Sequence, residues 1–259
     1  MIDLHCHILP GIDDGSRSWD ESVEMARIAA ADGITEIVAT PHITPGLYDN
    51  TTASISALVS ELANRLATAG IPIRLHVGAD VRVDPDLVGR VESGGVPVLG
   101  KRVRYLVAEL PSQMMPPNIR ELVYALQLRQ IIPIITHPER HASMQQDPGL
   151  LRQLVEAGAL AQVTAGSLTG EFGPVARRAA NKMLERNLIH LIATDAHGTQ
   201  KRRPVLTPGL AAAAAIVGEE AARAMVLTVP RAILAGVSVV ISDPVEPSLA
   251  RGFLARLLS

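Results

Sequence analysis

Short runs of branched apolar residues alternate along this chain with longer segments rich in Ala, Leu, Glu and Arg. The runs predict seven β-strands, and the longer segments have the composition of connecting helices. The predicted strands are 2–4, 36–39, 73–77, 105–108, 131–135, 161–163 and 189–193, and the predicted helices are 18–31, 51–69, 117–129, 148–157 and 173–186. Because such alternation makes a parallel sheet covered by helices, we expect an α/β fold whose many units close into a distorted TIM-like (β/α) barrel.

The same pattern indicates how the chain divides into domains. No internal repeat, low-complexity linker or change of composition separates the units, so residues 1–243 are predicted to form a single domain. Residues 244–259 differ, because Pro244 and Pro247 precede an amphipathic segment with Leu249, Phe253 and Leu257 on one side. We expect this tail to pack on the barrel or on a neighbouring subunit of a homo-oligomer.

Composition narrows the classes of function. Hydrophobic residues make up 47% of the chain, aromatic residues only 2%, and the formal net charge is -2. This balance provides no basic surface for nucleic acid, so no nucleic-acid partner is expected. The first residues lack a secretory signal, and no apolar stretch reaches the roughly 18 residues of a membrane span. These features predict a cytoplasmic protein without membrane insertion.

Potential metal ligands occur at or just beyond the ends of the predicted strands. They are His5, His7, His42, Asp80, Glu109, His137, Asp195 and His197. Since the carboxyl ends of parallel barrel strands share one face, these side chains are predicted to converge. His5 and His7 are two residues apart on a strand, so both imidazoles leave one face and can chelate one ion. Asp195 and His197 repeat that spacing.

The alternative is a set of buried polar residues with structural roles only. A single His-x-His pair occurs too often by chance to identify a metal site. Five of the eight histidines hold matching positions, however, and unrelated buried imidazoles and acids would each need a partner to offset desolvation. This favours a site for two or three ions. We interpret His76 and His190 as structural and Cys6 as a small buried apolar residue, and we assign no role to His141.

The segments MIDLHCHILPGIDDG, ATPH, GAD, AEL, THPER and ATDAH, in this order and spacing, resemble the PHP (polymerase and histidinol phosphatase) superfamily. The likeness extends from Met1 to about Pro204 and is greatest to the bacterial protein-tyrosine phosphatases of capsular and exopolysaccharide operons. It implies a distorted (β/α)7 barrel, the PHP fold, holding three divalent ions, with Mn²⁺ expected first and Fe or Zn as alternatives. The implied ligands are His5, His7, Asp80 and Asp195 for the first ion, Asp80, Glu109 and His137 for the second, and Asp14, His42 and His197 for the third.

One position departs from the pattern of this superfamily. Relatives usually carry Glu in a GAE motif where this chain has Asp80, which the resemblance makes the carboxylate shared by two ions. Aspartate reaches about one methylene less far, while carboxylate bridging stays feasible. Ion spacing, metal preference and occupancy are the properties that this substitution is expected to change.

The resemblance also implies an activity. A water activated by the metal ions would hydrolyse phosphotyrosine on a protein, expected to be the tyrosine-rich tail of a polysaccharide-assembly kinase. Arg140 in THPER and Arg202 in the KRRP stretch would contact the substrate phosphate, with Arg203 as the alternative to Arg202. Other functions stay open: a small-molecule phosphatase acting on histidinol phosphate, a non-catalytic partner of such a kinase and, ranked lowest, a nuclease.

Overall fold

The computed structural model describes residues 1–111 and 115–245, which form one mixed α/β unit built on parallel strands. Within these residues the strands are β1 (Ile2–Cys6), β2 (Glu36–Ala39), β3 (His42–Ile43), β4 (Arg74–Val77), β5 (Asp80–Arg82), β6 (Arg104–Glu109), β7 (Ile131–Thr136), β8 (Leu160–Thr164) and β9 (Leu191–Ala193). The helices are α1 (Trp19–Ala31), α2 (Thr52–Thr68), α3 (Leu87–Glu92), α4 (Ile119–Gln127), α5 (Ala142–Gln146), α6 (Gly149–Glu156), α7 (Ala165–Thr169), α8 (Gly173–Glu185), α9 (Thr207–Val217), α10 (Glu219–Val226) and α11 (Thr228–Ala235). A single turn of 3₁₀ helix covers Pro138–Arg140.

The helix ends follow local signals in the sequence. The Ser18 hydroxyl accepts a hydrogen bond from the backbone N–H of Glu21 and so caps the start of α1. Thr51 and Ser54 exchange side-chain and backbone hydrogen bonds in a capping box at the start of α2. Beyond α1, Gly33 adopts φ +86°, a left-handed conformation that favours glycine and turns the chain toward β2.

The strands form two parallel sheets, in the orders β1-β2-β4 and β3-β5-β6-β7-β8-β9. The first sheet leads into the second twice, because β3 follows β2 after residues 40–41 and β5 follows β4 after residues 78–79. Where β3 and β5 pair, His42 lies opposite Asp80, and one step further along the sheet Arg82 lies opposite Glu109. The register of these short strands therefore aligns three of the predicted ligands.

Hydrogen bonds also connect β1 with the segment that follows β9. The backbone N–H of Asp195 donates to the carbonyl of His5 at 2.8 Å, and the N–H of His7 donates to the carbonyl of Ala196 at 2.9 Å. Cys6 and Ala196 form an isolated parallel bridge between these bonds. The first and last strands of the chain thus lie side by side at their carboxyl ends.

The predicted α/β fold with parallel strands is confirmed, with corrections to individual elements. Each predicted strand overlaps an observed one, but β3 and β5 are too short to produce an apolar run and were not predicted. The last predicted strand was too long, since β9 begins at Leu191. His190, predicted to lie early in that strand, precedes it, and its imidazole Nδ1 accepts the N–H of Ala161 on β8.

The region after residue 206 contains the largest element missed by the sequence patterns. No helix was predicted beyond residue 186, whereas the Ala-rich run there forms α9 and is followed by α10 and α11. Helix α9 packs closely on α7: a Cβ added to Gly209 would lie 2.7 Å from Ala165. From residue 246 onward, the predicted amphipathic tail lies outside the residues that the structure describes. Among the described helices, none has the length and apolarity that crossing a membrane requires.

Candidate metal centre

The predicted ligands lie at the carboxyl ends of strands, in the loops that follow them, or in the short strands β3 and β5 that continue β2 and β4. His5 is in β1, His7 and Asp14 follow it, His42 is in β3, Asp80 begins β5, Glu109 ends β6, His137 follows β7, and Asp195 and His197 follow β9. Contacts of at most 3.8 Å join all nine side chains into one cluster. Parallel strands deliver these residues to one edge because their carboxyl ends coincide.

Three sets of these side chains have ligand atoms close enough to surround a cation. Within each set the atoms lie within 4.8 Å of one another, and the sets are His7, Asp14, His42 and His197; His5, His7 and Asp80; and His42, Asp80 and Glu109. Asp80 belongs to two sets, which is the geometry expected of a shared carboxylate. The sets differ from the predicted ligand groups at three points. His7 joins the set of Asp14, His42 and His197, Asp195 is absent from the set of His5 and His7, and Glu109 and Asp80 converge with His42 rather than with His137.

Several polar atoms at the centre of the cluster have no hydrogen-bond partner among the described residues. They are Nδ1 of His42, Oδ2 of Asp80 and Nε2 of His197, all buried. Leaving a buried polar atom unpaired costs roughly 1–3 kcal/mol, so the presence of several such atoms in one place indicates a binding site for a ligand or ion. Imidazole nitrogens and carboxylate oxygens together are the ligands of zinc, manganese and iron sites, and a divalent cation fits this set of atoms.

The charges of the cluster are strongly perturbed. Burial lowers the pKa of His5 to about 3 and, together with His7, lowers that of His42 to about 4, so both imidazoles are neutral and able to bind a metal. Burial and the adjacent Glu109 raise the pKa of Asp80 well above its usual value. Carboxylates buried this close together favour a neighbouring positive charge, which a bound divalent cation would supply.

Residues outside the predicted set orient the histidines. Nδ1 of His7 donates to Oδ2 of Asp13 at 2.7 Å, and Nδ1 of His5 donates to Oε1 of Gln162 at 2.9 Å. In both rings the hydrogen bond at Nδ1 turns Nε2 toward the centre of the cluster, as is usual for metal-binding histidines. Asp13 and Gln162 were not predicted from the sequence, although the Asp-Asp pair after the His-x-His motif was a signal for Asp13.

Two arginines contact the carboxylate of Asp195. Nη2 of Arg140 lies 2.7 Å and Nη2 of Arg202 lies 2.6 Å from Oδ2 of that carboxylate. Burial alone would raise the pKa of Asp195, but the charges of Arg140 and Arg202 and the hydrogen bond from His7 hold this pKa well below its usual value. Arg203 lies elsewhere, beside Glu24 in a groove of the outer surface. Of the two alternatives for the second arginine, only Arg202 is at the cluster.

Backbone strain is concentrated at this site. His137, Asp195 and Arg202 adopt φ values of 35°, 50° and 49°, the left-handed region that non-glycine residues rarely occupy. Each such residue costs of order 1–3 kcal/mol, and strain of this kind is found mainly at functional sites. The strained backbone turns these side chains toward the cluster.

A cavity of about 280 Å³ opens beside the cluster. Glu109, His137, Arg140 and His141 line it, so the cavity borders both the ligands and one arginine. On the other side Asp14 keeps half of its side chain exposed. The cluster is therefore reachable from solvent although most of its residues are buried.

The remaining residues singled out in the sequence lie outside the cluster. His76 of β4 pairs with Glu36 of the neighbouring strand β2 at 2.7 Å, consistent with the structural role predicted for it. Cys6 is a fully buried free thiol, as predicted, and burial raises its pKa well above the usual value. A buried thiol of raised pKa is unsuited to nucleophilic catalysis.

Parallel strands carrying a cluster of histidines and acids define this chain as a metal-binding α/β protein of the kind that performs hydrolysis. The chain belongs to the CpsB/CapC family of capsular polysaccharide synthesis, whose model matches residues 1–235. The resemblance predicted from the motifs is thus confirmed.

Individual relatives agree with this assignment. The chain is 40% identical over 209 residues to the tyrosine-protein phosphatase YwqE of Bacillus subtilis, covering 78% of this chain and 79% of the relative. It is 37% identical over 202 residues to CapC of Staphylococcus aureus, with 78% and 79% covered. A crystal structure from work on YwqE of Bacillus subtilis and CpsB of Streptococcus pneumoniae, described as unique metal-dependent tyrosine phosphatases, matches with a TM-score of 0.89. That match has 34% sequence identity and covers 95% of this chain and 100% of the other.

Proposed function

We propose that this protein is a metal-dependent protein-tyrosine phosphatase acting in capsular or exopolysaccharide synthesis. The observation that carries the proposal is the position of two arginines beside a cluster suited to divalent cations. Nε of Arg140 and Nε of Arg202 are buried and have no hydrogen-bond partner among the described residues. Two unpaired guanidinium donors next to a metal cluster match the needs of a phosphate group. The names of relatives with 40% and 34% identity support phosphotyrosine as the substrate.

Three divalent ions, with Mn²⁺ the first choice, are the cofactors in this proposal. The first is assigned to His5, His7, Asp80 and Asp195, the second to Asp80 and Glu109 with His137 or His42, and the third to Asp14, His42 and His197. The three ligand sets in the cluster support this number. Bound there, the ions would supply Lewis-acid charge and a water that is nucleophilic near neutral pH.

The side chains of the protein then have distinct tasks. Arg140 and Arg202 bind the phosphoryl oxygens through forked hydrogen bonds and neutralise the charge that develops as the ester oxygen departs. The cavity beside Arg140 receives the tyrosine ring. A phenol has an ordinary pKa near 10, so tyrosinate leaves more readily than the alkoxide of an alkyl phosphate. No protein nucleophile is needed, in keeping with the burial of Cys6.

The scaffold belongs to the same proposal. Taking β2 with β3 and β4 with β5 as two interrupted strands reduces the observed set to seven. The hydrogen bonds from Asp195 to His5 and from His7 to Ala196 link the first of these to the last. We therefore assign residues 1–243 to a distorted (β/α)7 barrel. The phosphotyrosine-bearing partner is proposed to be the tyrosine-rich tail of a polysaccharide-assembly kinase, on the basis of membership in a capsule-synthesis family.

Metal removal and reconstitution test the function. Protein treated with a chelator is expected to lose hydrolysis of a phosphotyrosyl peptide and to regain it with Mn²⁺. The variants His5→Ala and Asp195→Asn are expected to lower metal content and turnover together. His76→Ala is the matched control, because that histidine pairs with Glu36 outside the cluster and should leave both quantities unchanged.

Comparison of substrates decides between the candidate functions. Turnover of the phosphotyrosyl peptide well above that of histidinol phosphate is expected, and the reverse order would assign the protein as a small-molecule phosphatase. Metal-loaded protein that binds a phosphotyrosyl peptide but hydrolyses neither compound would instead be a binding partner. If neither His5→Ala nor Asp195→Asn changes metal content, the site assignment is wrong.

A further inference from the structure

Phe172 lies at the junction of α7 and α8, beside the two arginines of the site. Cζ of Arg140 is 4.7 Å and Cζ of Arg202 is 5.7 Å from the centre of its ring. Both distances are within the range of cation–π attraction. One half-buried aromatic ring therefore contacts both guanidinium groups that the proposed function assigns to phosphate.

The two arginines also share a contact with Asp195, and this contact differs chemically from the one with the ring. Oδ2 of Asp195 accepts a hydrogen bond from Nη2 of Arg202 and forms an ion pair with Nη2 of Arg140, and so competes for the groups that a phosphate needs. The face of an aromatic ring attracts the flat face of a guanidinium and leaves its in-plane N–H groups free. Phe172 can thus hold two mutually repelling cations near each other while their donors stay available.

The segment that carries Phe172 is itself anchored. The Glu171 carboxylate accepts the backbone N–H of Arg202 at 2.9 Å, and the Glu171 N–H donates to the carbonyl of Gly166 at 2.8 Å. Gly166 has no side chain, and a Cβ there would lie 3.1 Å from the Phe172 ring and 2.5 Å from Glu171. The ring is seated directly on α7, which limits where it can move.

We infer that Phe172 is a positioning residue, which sets the spacing of Arg140 and Arg202 so that together they bind a phosphate group. The inference deepens the proposed function and rests on it for the identity of the substrate. Phe172 acts through the arginines, so its effect should appear on any phosphate bound there, with or without an aromatic ring. That property separates positioning from direct stacking on the substrate.

The test uses the full-length, Mn²⁺-loaded protein and the variants Phe172→Leu and Phe172→Tyr. Loss of two cation–π contacts is expected to weaken binding of inorganic phosphate about tenfold by calorimetry. The KM for a phosphotyrosyl peptide should rise by a similar factor while kcat changes less than about threefold, because the arginines contact phosphate in both ground and transition states. Phe172→Tyr retains the ring and should restore both values to within about twofold.

A matched control and a coupling measurement complete the design. Trp19→Leu removes another arginine–aromatic contact, that of Trp19 with Arg65 at 4.5 Å, and should leave phosphate binding unchanged. In an Arg202→Ala background, Phe172→Leu should weaken phosphate binding less than it does in the wild type, since part of its effect passes through Arg202.

Several outcomes would overturn the inference. They are an unchanged phosphate Kd in Phe172→Leu, a wild-type protein that binds no phosphate, failure of Phe172→Tyr to restore binding, or weakened peptide binding with unaltered phosphate binding. The last result would mean that the ring stacks on the substrate itself. A wild-type protein that binds phosphate but does not hydrolyse the peptide would instead remove the proposed function, and the phosphate Kd values of the variants would still decide the role of Phe172.

Discussion

Asp13 is the residue outside the predicted ligand set from which the largest effect on metal binding is expected. Its Oδ2 accepts Nδ1 of His7 at 2.7 Å and the backbone N–H of His42 at 3.0 Å, and its Oδ1 accepts the N–H of Gly15 at 2.9 Å. One carboxylate thereby orients two proposed ligands and the loop that contains Gly15. Asp13→Asn keeps the size of the side chain but replaces one acceptor oxygen by a donor.

The size of the effect follows from these contacts. With either orientation of the amide, at least one buried N–H of His7, His42 or Gly15 faces another donor, which costs roughly 1–3 kcal/mol. Loss of such partners of metal-binding histidines commonly weakens metal affinity 10- to 100-fold. Because His7 contributes to two of the three ligand sets, we expect Asp13→Asn to weaken Mn²⁺ binding by about that factor.

The assay is a competition for Mn²⁺ between the protein and a chelating dye at fixed neutral pH. Asp147→Asn is the matched control. Oδ1 of Asp147 accepts the N–H of Gly149 at 2.8 Å, which is the same type of turn as that of Asp13 and Gly15 but lies away from the cluster. That variant should bind Mn²⁺ like the wild type. Equal affinity of Asp13→Asn and Asp147→Asn would refute the argument that the contact at Nδ1 governs the metal affinity of His7.

Three further predictions concern residues whose effects should be separable from the metal site. Cys6→Ala should retain metal content and phosphatase activity and lose about 1 kcal/mol of stability; lost activity at full metal content would point to a thiol mechanism. Tyr105→Phe removes the hydroxyl that donates to the Val237 carbonyl at 2.7 Å. Urea unfolding should therefore show a free energy of unfolding lower by about 1–3 kcal/mol with unchanged turnover, and an unaltered unfolding midpoint would contradict this prediction. Burial lowers the pKa of His190 from 6.5 to about 4, so the folded state binds fewer protons, and the stability that this histidine contributes is lost as the pH falls from about 6.5 to 4. His190→Asn, which keeps an acceptor near Nδ1, should reduce that acid sensitivity by on the order of 3 kcal/mol, and identical urea curves for both proteins at pH 5 and pH 7.5 would disprove the assignment.

The sequence by itself determined where chemistry would occur. Apolar runs marked the strands, and because parallel strands end at one edge, His5, His137 and Asp195 could be expected to meet although they are far apart in the chain. The two-residue spacing of His5 and His7 predicted a chelating pair, since side chains alternate across a strand. These inferences depend on local periodicity and on the general rule that parallel strands end at one edge of a sheet. Both can be applied to a single sequence.

Tertiary structure decided which of these residues are partners. Glu109 and Asp80 converge with His42 because β3, β5 and β6 pair in one particular register, and two of these strands are only two and three residues long. Elements of that length leave no apolar pattern in the sequence. The choice of Arg202 over Arg203 likewise depends on the left-handed backbone at one residue.

The contacts of Gln162 and Phe172 could not be predicted from the sequence for the same reason. Gln162 is 157 positions from His5, and Phe172 is 32 from Arg140 and 30 from Arg202, so no local pattern connects them. Side-chain partners across such separations are fixed by packing to within a few tenths of an ångström. The sequence therefore determined the chemical groups and the edge at which they gather, and the tertiary structure decided which atoms face one another, because that depends on strand register and on the packing of side chains between distant segments.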